Sequence, residues 1–176
     1  MQARGPLMIE HRLIEKMLAV IGNEIKRIKS TNNVNPLFID TVVDFIKMYA
    51  DRTHHGKEED ILFEALKKRP LSPEDSKMMD ELIKEHIHGR LVTKALVQAN
   101  DRYRSGNKEA VNDILDKLQA LIEFYPGHIE KEDRVFFPSV RKYFIEKEEQ
   151  AMLADFQEFD ANMIHEKYKG VVERYK

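Results

Sequence analysis

The sequence predicts an all-α protein: an up-down-up-down antiparallel four-helix bundle with an additional C-terminal helix. Apolar residues recur at spacings of three and four along almost all of the 176 residues, which is the period of one helix face. Strand signals are weak, because alternating β-branched runs and Asn-Gly or Asp-Gly hairpin turns are missing. The connections between the periodic segments are short, and short connections favour antiparallel neighbours.

Capping residues divide the chain into five predicted helices. Asn35-Pro36 has the pattern of an N-cap followed by a first-turn proline, and Ser72-Pro73 repeats that pattern. The predicted helices cover about residues 7–30, 36–68, 73–104, 108–137 and 146–175. We therefore expect an N-terminal tail at residues 1–6, the bundle at residues 7–145 and a C-terminal helical extension at residues 146–176.

Composition and charge argue against several classes of partner. Lysine plus arginine number 29 and aspartate plus glutamate 31, for a formal net charge of −2. This balance gives no electrostatic reason to bind nucleic acid or an anionic membrane. No apolar run reaches the roughly 18 residues of a membrane-spanning helix, and the N-terminus lacks the apolar segment of a secretory signal. We therefore expect a cytoplasmic protein without nucleic-acid or membrane partners.

The chain contains no cysteine and seven histidines. Thiolate nucleophiles, disulfides, iron–sulfur clusters and cysteine-based zinc sites are therefore excluded. Any metal must be bound by imidazole and carboxylate groups, which suit iron, manganese and zinc. The histidines are consequently the first residues to consider as ligands.

Two segments share the pattern His-x-x-x-Glu-Asp. One begins at His55 and includes Glu59, and the other begins at His128 and includes Glu132. On a helix, residues four apart lie on one face with their side chains about 5–6 Å apart. Such a pair can reach one metal ion, or one ion each of an adjacent pair.

Two further histidines, His11 and His86, lie on largely apolar faces of the first and third predicted helices. With a rise of about 1.5 Å per residue, these two and the histidines of the repeated pattern fall at nearly one level along an antiparallel bundle. We therefore predict a metal site formed by His11, His55, Glu59, His86, His128 and Glu132.

Other polar residues near these positions are less strongly indicated as metal ligands. His54 and Glu58 also have the i, i+4 spacing, but their register does not match the second copy of the pattern. We therefore expect His54 at the surface or hydrogen-bonded behind a ligand. Arg90 lies one turn after the third-helix histidine. We expect it either to donate a hydrogen bond to a metal ligand or to extend to the surface. Tyr125 lines the site or belongs to the core, and His165 is a further candidate on the last helix.

The order of these residues resembles the hemerythrin-like (HHE cation-binding) family over about residues 8–144. The motifs that carry the resemblance are Glu10-His11, His54-His55 with Glu59, Glu85-His86, and His128 with Glu132. The resemblance implies a four-helix bundle with a carboxylate-bridged di-iron centre. In that arrangement Glu59 and Glu132 bridge the irons, and the four histidines occupy terminal positions.

Two departures from hemerythrins that carry oxygen reversibly affect the expected function. Arg90 stands where those proteins have a second third-helix histidine, and Glu132 replaces an aspartate one residue further along. The first departure implies an additional open position on one metal. The pattern therefore favours binding or sensing of O₂, nitric oxide or peroxide, or iron handling, over simple oxygen carriage. No second substrate pocket is indicated, so we expect no catalytic side chain, and turnover by scavenging of peroxide or nitric oxide is the enzymatic alternative.

Alternatives remain at this point. A zinc ion with a purely structural role, or no metal at all, would make the chain a helical interaction module. Zinc or manganese could also replace iron in the site. In either case we expect a monomer or homodimer, in which the C-terminal helix mediates dimerisation or covers the metal site. A ferritin- or rubrerythrin-like di-iron oxidase requires two Glu-x-x-His pairs, whereas this chain offers only Glu85-x-x-His88.

Overall fold

The computed structural model describes residues 3–174, which form five helices and, within that range, no strand. Helix α1 is Arg4–Thr31, α3 is Pro73–Arg104 and α5 is Glu146–Arg174. Helix α2 (residues 36–67) consists of Pro36–Asp44, Phe45–His55, Glu58–Phe63 and Glu64–Lys67. Helix α4 (residues 110–143) consists of Ala110–Lys131, Glu132–Phe136, Phe137–Val140 and Arg141–Tyr143. The predicted fold, a four-helix bundle with an additional C-terminal helix, is confirmed.

The predicted caps form and account for the short connections. The Asn35 side chain accepts hydrogen bonds from the backbone N–H groups of Leu37 and Phe38 at the start of α2. The Ser72 side chain accepts one from the backbone of Asp75 at the start of α3. These side chains satisfy backbone donors that the first turn of a helix leaves unpaired.

The bundle has two apolar core regions with a polar layer between them. The larger region includes Ile14 and Val92, and the smaller one includes Leu7 and Leu82. Both regions receive side chains from α1, α2, α3 and α4. The apolar side chains of the four bundle helices therefore pack on both sides of the polar layer. This layer lies at the level where the sequence predicted the histidines.

Helix α2 departs from regular α-helical geometry where it passes this polar layer. Phe45–His55 and Glu58–Phe63 are π-helical, so their backbone bonds span five residues and each turn holds about one residue more than an α-turn. A shorter π-helical segment, Glu132–Phe136, occurs in α4. These wider turns change which residues of each helix face the bundle axis.

Helix α5 packs against the π-helical part of α2. Among the side chains of this helix that the structure describes, the buried apolar ones are Met152, Phe156 and Met163. A Cβ atom on Gly56 would lie 2.7 Å from Cζ of Phe159, so α5 approaches α2 as closely as a glycine permits. None of the helices in residues 3–174 combines the length and apolar character required to cross a lipid bilayer.

Candidate metal centre

Seven side chains from the four bundle helices meet in the polar layer, and all are at least 97% buried. They form two groups, and within each group one potential ligand atom per residue lies within 4.8 Å of the others. The first group is His55, His86 and His128, and the second is His11, His54, Glu58 and Glu132. We call these seven residues the histidine–glutamate cluster.

Glu132 lies between the two groups. One carboxylate oxygen, Oε2, is 3.1 Å from Nε2 of His11 in the second group. The other, Oε1, is 3.2 Å from Nε2 of His128 and 3.6 Å from Nε2 of His86 in the first group. The carboxylate therefore presents one oxygen to each group.

Glu58 has the same relation to the two groups. Its Oε1 atom is 3.7 Å from Nε2 of His54, and its Oε2 atom is 3.4 Å from Nε2 of His86. Two buried carboxylates that each face both groups have the arrangement required to bridge two adjacent cations.

The second ring nitrogen of each cluster histidine faces a carboxylate outside the cluster. In four cases the Nδ1···O distance is that of a hydrogen bond: His11 to Asp133, 2.7 Å; His54 to Glu10, 2.9 Å; His86 to Glu59, 2.7 Å; His128 to Glu85, 2.8 Å. Nδ1 of His55 is 3.5 Å from Asp51. A histidine that donates its Nδ1–H to a carboxylate directs the Nε2 lone pair at a metal.

The atoms that face the interior of the cluster have no hydrogen-bond partner of acceptable geometry. They are Nε2 of all five histidines and both carboxylate oxygens of Glu58 and Glu132. Each unsatisfied buried polar atom costs roughly 1–3 kcal/mol, and here nine such atoms converge on one place. Five imidazoles and two carboxylates without sulfur form a donor set that fits iron, manganese or zinc.

The electrostatics of the two buried carboxylates differ. Burial, together with the nearby negative charge of Glu132, raises the pKa of Glu58 well above its usual range. Burial acts on Glu132 in the same direction, but the charge of His128 and the close contacts with His11 and His86 hold its pKa well below that range. Without cations, the Glu58 carboxyl therefore retains its proton more readily than the Glu132 carboxyl does.

The histidines also differ in their affinity for protons. Burial opposes protonation of His11, but its contacts with Asp133 and Glu132 outweigh burial and raise its pKa to about 10. Burial lowers the pKa of His54 to about 4. Because a metal ligand must be deprotonated, binding of cations to this cluster releases protons.

The predicted ligand Glu59 is not among the residues that the structure brings together in the cluster. Glu59 lies outside the cluster, where one oxygen accepts hydrogen bonds from His86 and Arg90, each at 2.7 Å. Glu58 occupies the predicted place, and His54 faces the cluster together with His55. The π-helical turns explain the change, because two consecutive histidines on a wider turn diverge less than on an α-turn.

Another histidine lies where Arg90 was expected to leave a position without an imidazole. His55 joins His86 and His128, so one group retains three histidines. Arg90 lies behind the cluster, where it pairs with Asp51 and Glu59. An additional histidine from α2 therefore stands in for the third-helix histidine that the sequence lacks.

The remaining candidates lie at or beyond the edge of the cluster. Tyr125 is buried, and its ring centroid is 6.4 Å from those of both His55 and His128. His165 is exposed on α5 and does not belong to the cluster. His88 is also exposed, so the Glu-x-x-His pair expected of a ferritin-like oxidase does not form a site.

The two halves of the bundle, α1 with α2 and α3 with α4, repeat one pattern, and its register in α2 differs by one residue from the register predicted from the sequence. Residues 54–59 and 128–133 both read His-x-x-Lys-Glu followed by an acidic residue, and α1 and α3 each carry a Glu-His pair. In each half, the glutamate of the Glu-His pair contacts the first histidine and the lysine of the repeated segment. Glu10 contacts His54 and Lys57, and Glu85 contacts His128 and Lys131. The matching lysines were the signal that could have identified His54 and Glu58.

The fold and the cluster together define a helical-bundle protein with a histidine- and carboxylate-lined site for metal cations. The model of the hemerythrin HHE cation binding domain matches residues 6–140. The chain belongs to this family.

Comparisons with individual proteins add no further assignment. The chain is 22% identical over 155 residues to uncharacterized proteins of Mycobacterium tuberculosis and Mycobacterium bovis. The matched segment covers 86% of this chain and 58% of those relatives, so the chain spans little more than half of their length. No solved structure matches the chain significantly.

Proposed function

We propose that the histidine–glutamate cluster binds two iron ions, and that through them the protein binds or senses O₂, nitric oxide or peroxide, or handles iron. The observation that supports this proposal is the convergence of nine buried, unpartnered ligand atoms on two groups that share Glu58 and Glu132. When bound, iron supplies redox chemistry and a coordination position for a small molecule.

The proposed roles follow from the distances. Glu58 and Glu132 would each contribute one oxygen to either ion, because each has one oxygen near each group of histidines. His55, His86 and His128 would hold one ion, and His11 and His54 would hold the other.

The protein's own residues orient these ligands and exclude water. The carboxylates behind His11, His54, His86 and His128 select the tautomer in which Nε2 is free. Buried apolar side chains such as Phe63, Phe136 and Phe137 pack on one side of the cluster. A dry surrounding strengthens the charge interactions between the cations and the two carboxylates.

Metal quantification combined with an optical spectrum, taken first without oxygen and then in air, tests the proposal. We expect about two irons per chain, consistent with two groups of ligands, and an oxo-to-iron charge-transfer band that appears in air. His55→Ala and Glu58→Ala should each lose iron and the band. His165→Ala, at an exposed position outside the cluster, is the matched control.

Two results would contradict the iron proposal. Full iron content in the Glu58→Ala protein would show that the assigned bridge is not a ligand. A protein that acquires only zinc, and whose spectrum is the same with and without oxygen, would instead favour a structural metal in a helical interaction module.

A further inference from the structure

Lys57 is a fully buried lysine close to the histidine–glutamate cluster. Its Nζ atom forms ion pairs with Glu10 of α1 and with Asp160 of α5, the latter at 2.7 Å. A buried ammonium group is costly unless paired charges surround it. Lys57 therefore depends on a carboxylate from the bundle and on another from the C-terminal helix.

Glu10 connects this lysine to the cluster. One of its oxygens is 2.9 Å from Nδ1 of His54, and its other oxygen contacts Nζ of Lys57. A continuous chain of polar contacts thus runs from His54 through Glu10 and Lys57 to Asp160. It links a proposed metal ligand to α5 without passing through solvent-exposed side chains of α2.

The packing around this chain brings α5 directly onto the turn that carries His54 and His55. Gly56 lies against the ring of Phe159, with no space for a Cβ atom. The ring of Phe156 is buried, with its centroid 5.9 Å from Nζ of Lys57. A shift of α5 would therefore disturb the backbone next to two cluster histidines.

The other ion pairs between α5 and α2 have a different character. Arg52 pairs with Glu166, and Asp44 pairs with Lys167, and all four side chains are more than 40% exposed. Exposed pairs of this kind contribute little to stability. In the Lys57–Asp160 pair the aspartate is also 44% exposed, but the lysine is fully buried and contacts Glu10. This pair is therefore the one of the three that joins α5 to the cluster through a buried charge.

We propose that Lys57 and Asp160 are positioning residues for the metal centre, and that metal binding and the docking of α5 stabilise each other. This proposal rests on the metal site proposed above. A cation on Nε2 of His54 makes its Nδ1–H a stronger donor to Glu10. Glu10 is then held in the position where it pairs with Lys57, and Lys57 in turn holds Asp160. By thermodynamic linkage, the docked helix must strengthen metal binding by the same factor.

The test compares two carboxylate-to-amide variants on α5, Asp160→Asn and Glu166→Gln. Each is prepared metal-free and loaded with iron(II) without oxygen. Hydrogen exchange of residues 152–167 is measured in both states, and iron release to a ferrous chelator is timed. In the wild type and Glu166→Gln we expect iron to slow exchange in α5 about tenfold. In Asp160→Asn that protection should disappear, and iron should leave about tenfold faster, the lower end of the effect seen for groups that hold metal ligands.

The outcomes separate this proposal from the proposed function. Equal exchange of α5 in the metal-free and iron-loaded wild type would overturn the coupling, whatever the variants do. Iron release from a folded Asp160→Asn protein at the wild-type rate would also overturn it. Recovery of both effects in Asp160→Glu, which restores the charge, would support a positioning role. Failure of the wild type to bind iron at all would instead refute the proposed function.

Discussion

The two halves of the bundle build nearly the same ligand arrangement in different surroundings. In the first half, Lys57 is fully buried between Glu10 and Asp160. In the second half, the corresponding Lys131 pairs with Glu85 and remains 28% exposed. The difference arises because α5 packs on the first half, where Gly56 contacts Phe159, whereas the aligned Glu130 is exposed to solvent. The same sequence pattern is therefore buried beneath α5 in the first half and partly exposed to solvent in the second.

Replacing the two lysines should give the largest contrast between the halves. Lys57→Met leaves Glu10 and Asp160 without their buried cation, so we expect a loss of about 3 kcal/mol in the free energy of unfolding. Lys131→Met breaks part-exposed pairs and should cost less than about 1 kcal/mol. Urea unfolding of the metal-free proteins measures both values. Equal losses would show that α5 does not bury the first site in solution.

Replacing the adjacent residues Glu58 and Glu59 one at a time should show which of the two carboxylates binds metal and which only supports a ligand. Glu58→Gln removes a proposed bridge between the metals, so metal affinity should fall more than about 100-fold, beyond the usual effect of a supporting group. Glu59→Gln weakens only the support of His86, and we expect a loss of about tenfold. In the second half, Glu132→Gln and Asp133→Asn should reproduce these two effects in the same order. Competition with a chelator gives the affinities, and a larger effect at Glu59 than at Glu58 would restore the register first predicted from the sequence.

Adding one methyl group to each half should have opposite effects. In Gly56→Ala the new Cβ would lie 2.7 Å from the ring of Phe159, so we expect destabilisation by about 1–3 kcal/mol. A Cβ atom on Gly127 in α4 would have no neighbouring side chain within 4 Å, and Gly127→Ala should stabilise the helix by up to about 1 kcal/mol. Thermal unfolding of both metal-free variants provides the comparison. Stabilisation by both changes would mean that α5 does not contact Gly56.

The pH dependence of the metal-free protein should reflect two opposed histidines. The pKa of His11 is raised to about 10, so the stability that its protonation contributes is lost as the pH rises above about 6.5 towards 10. The pKa of His54 is lowered to about 4, so stability is lost as the pH falls from about 6.5 towards 4. On the acid and the alkaline side, each histidine changes the free energy of unfolding by at most about 1.4 kcal/mol per pH unit.

Urea unfolding between pH 5 and 9, at intervals of about one unit, measures this dependence. His11→Gln should flatten the alkaline limb, and His54→Gln should flatten the acid limb. A profile that is unchanged in both variants would contradict the burial of these two rings in the metal-free protein.

Much of the fold and part of the candidate site could be predicted because their signals are local. Asn35 and Ser72 cap helices through contacts within three residues, and the apolar period identifies the faces that pack. Five of the six predicted ligands lie in the cluster: His11, His55, His86, His128 and Glu132. Their level along the bundle follows from helix length alone.

The register of α2 could not be obtained in the same way. Its π-helical turns place His54 and Glu58 in the cluster and turn Glu59 to the outside. A periodicity argument assumes a constant number of residues per turn, and a wider turn breaks that assumption. The burial of Lys57 was missed for a related reason, because its partners Glu10 and Asp160 are far from it in sequence.

The amino-acid sequence alone determines that the chain is helical, that α2 begins at Pro36 and α3 at Pro73, and that imidazole and carboxylate are the available metal ligands, whereas α1 begins at Arg4, within the expected tail, and α4 extends to Tyr143. Those properties depend on capping, on apolar spacing and on the absence of cysteine. Only the tertiary structure decides that both His54 and His55 but only one of the adjacent glutamates, Glu58, face the cluster, and which half of the bundle lies beneath α5. These outcomes depend on how the helices pack against one another, since packing selects the backbone turn that satisfies all of the buried contacts together.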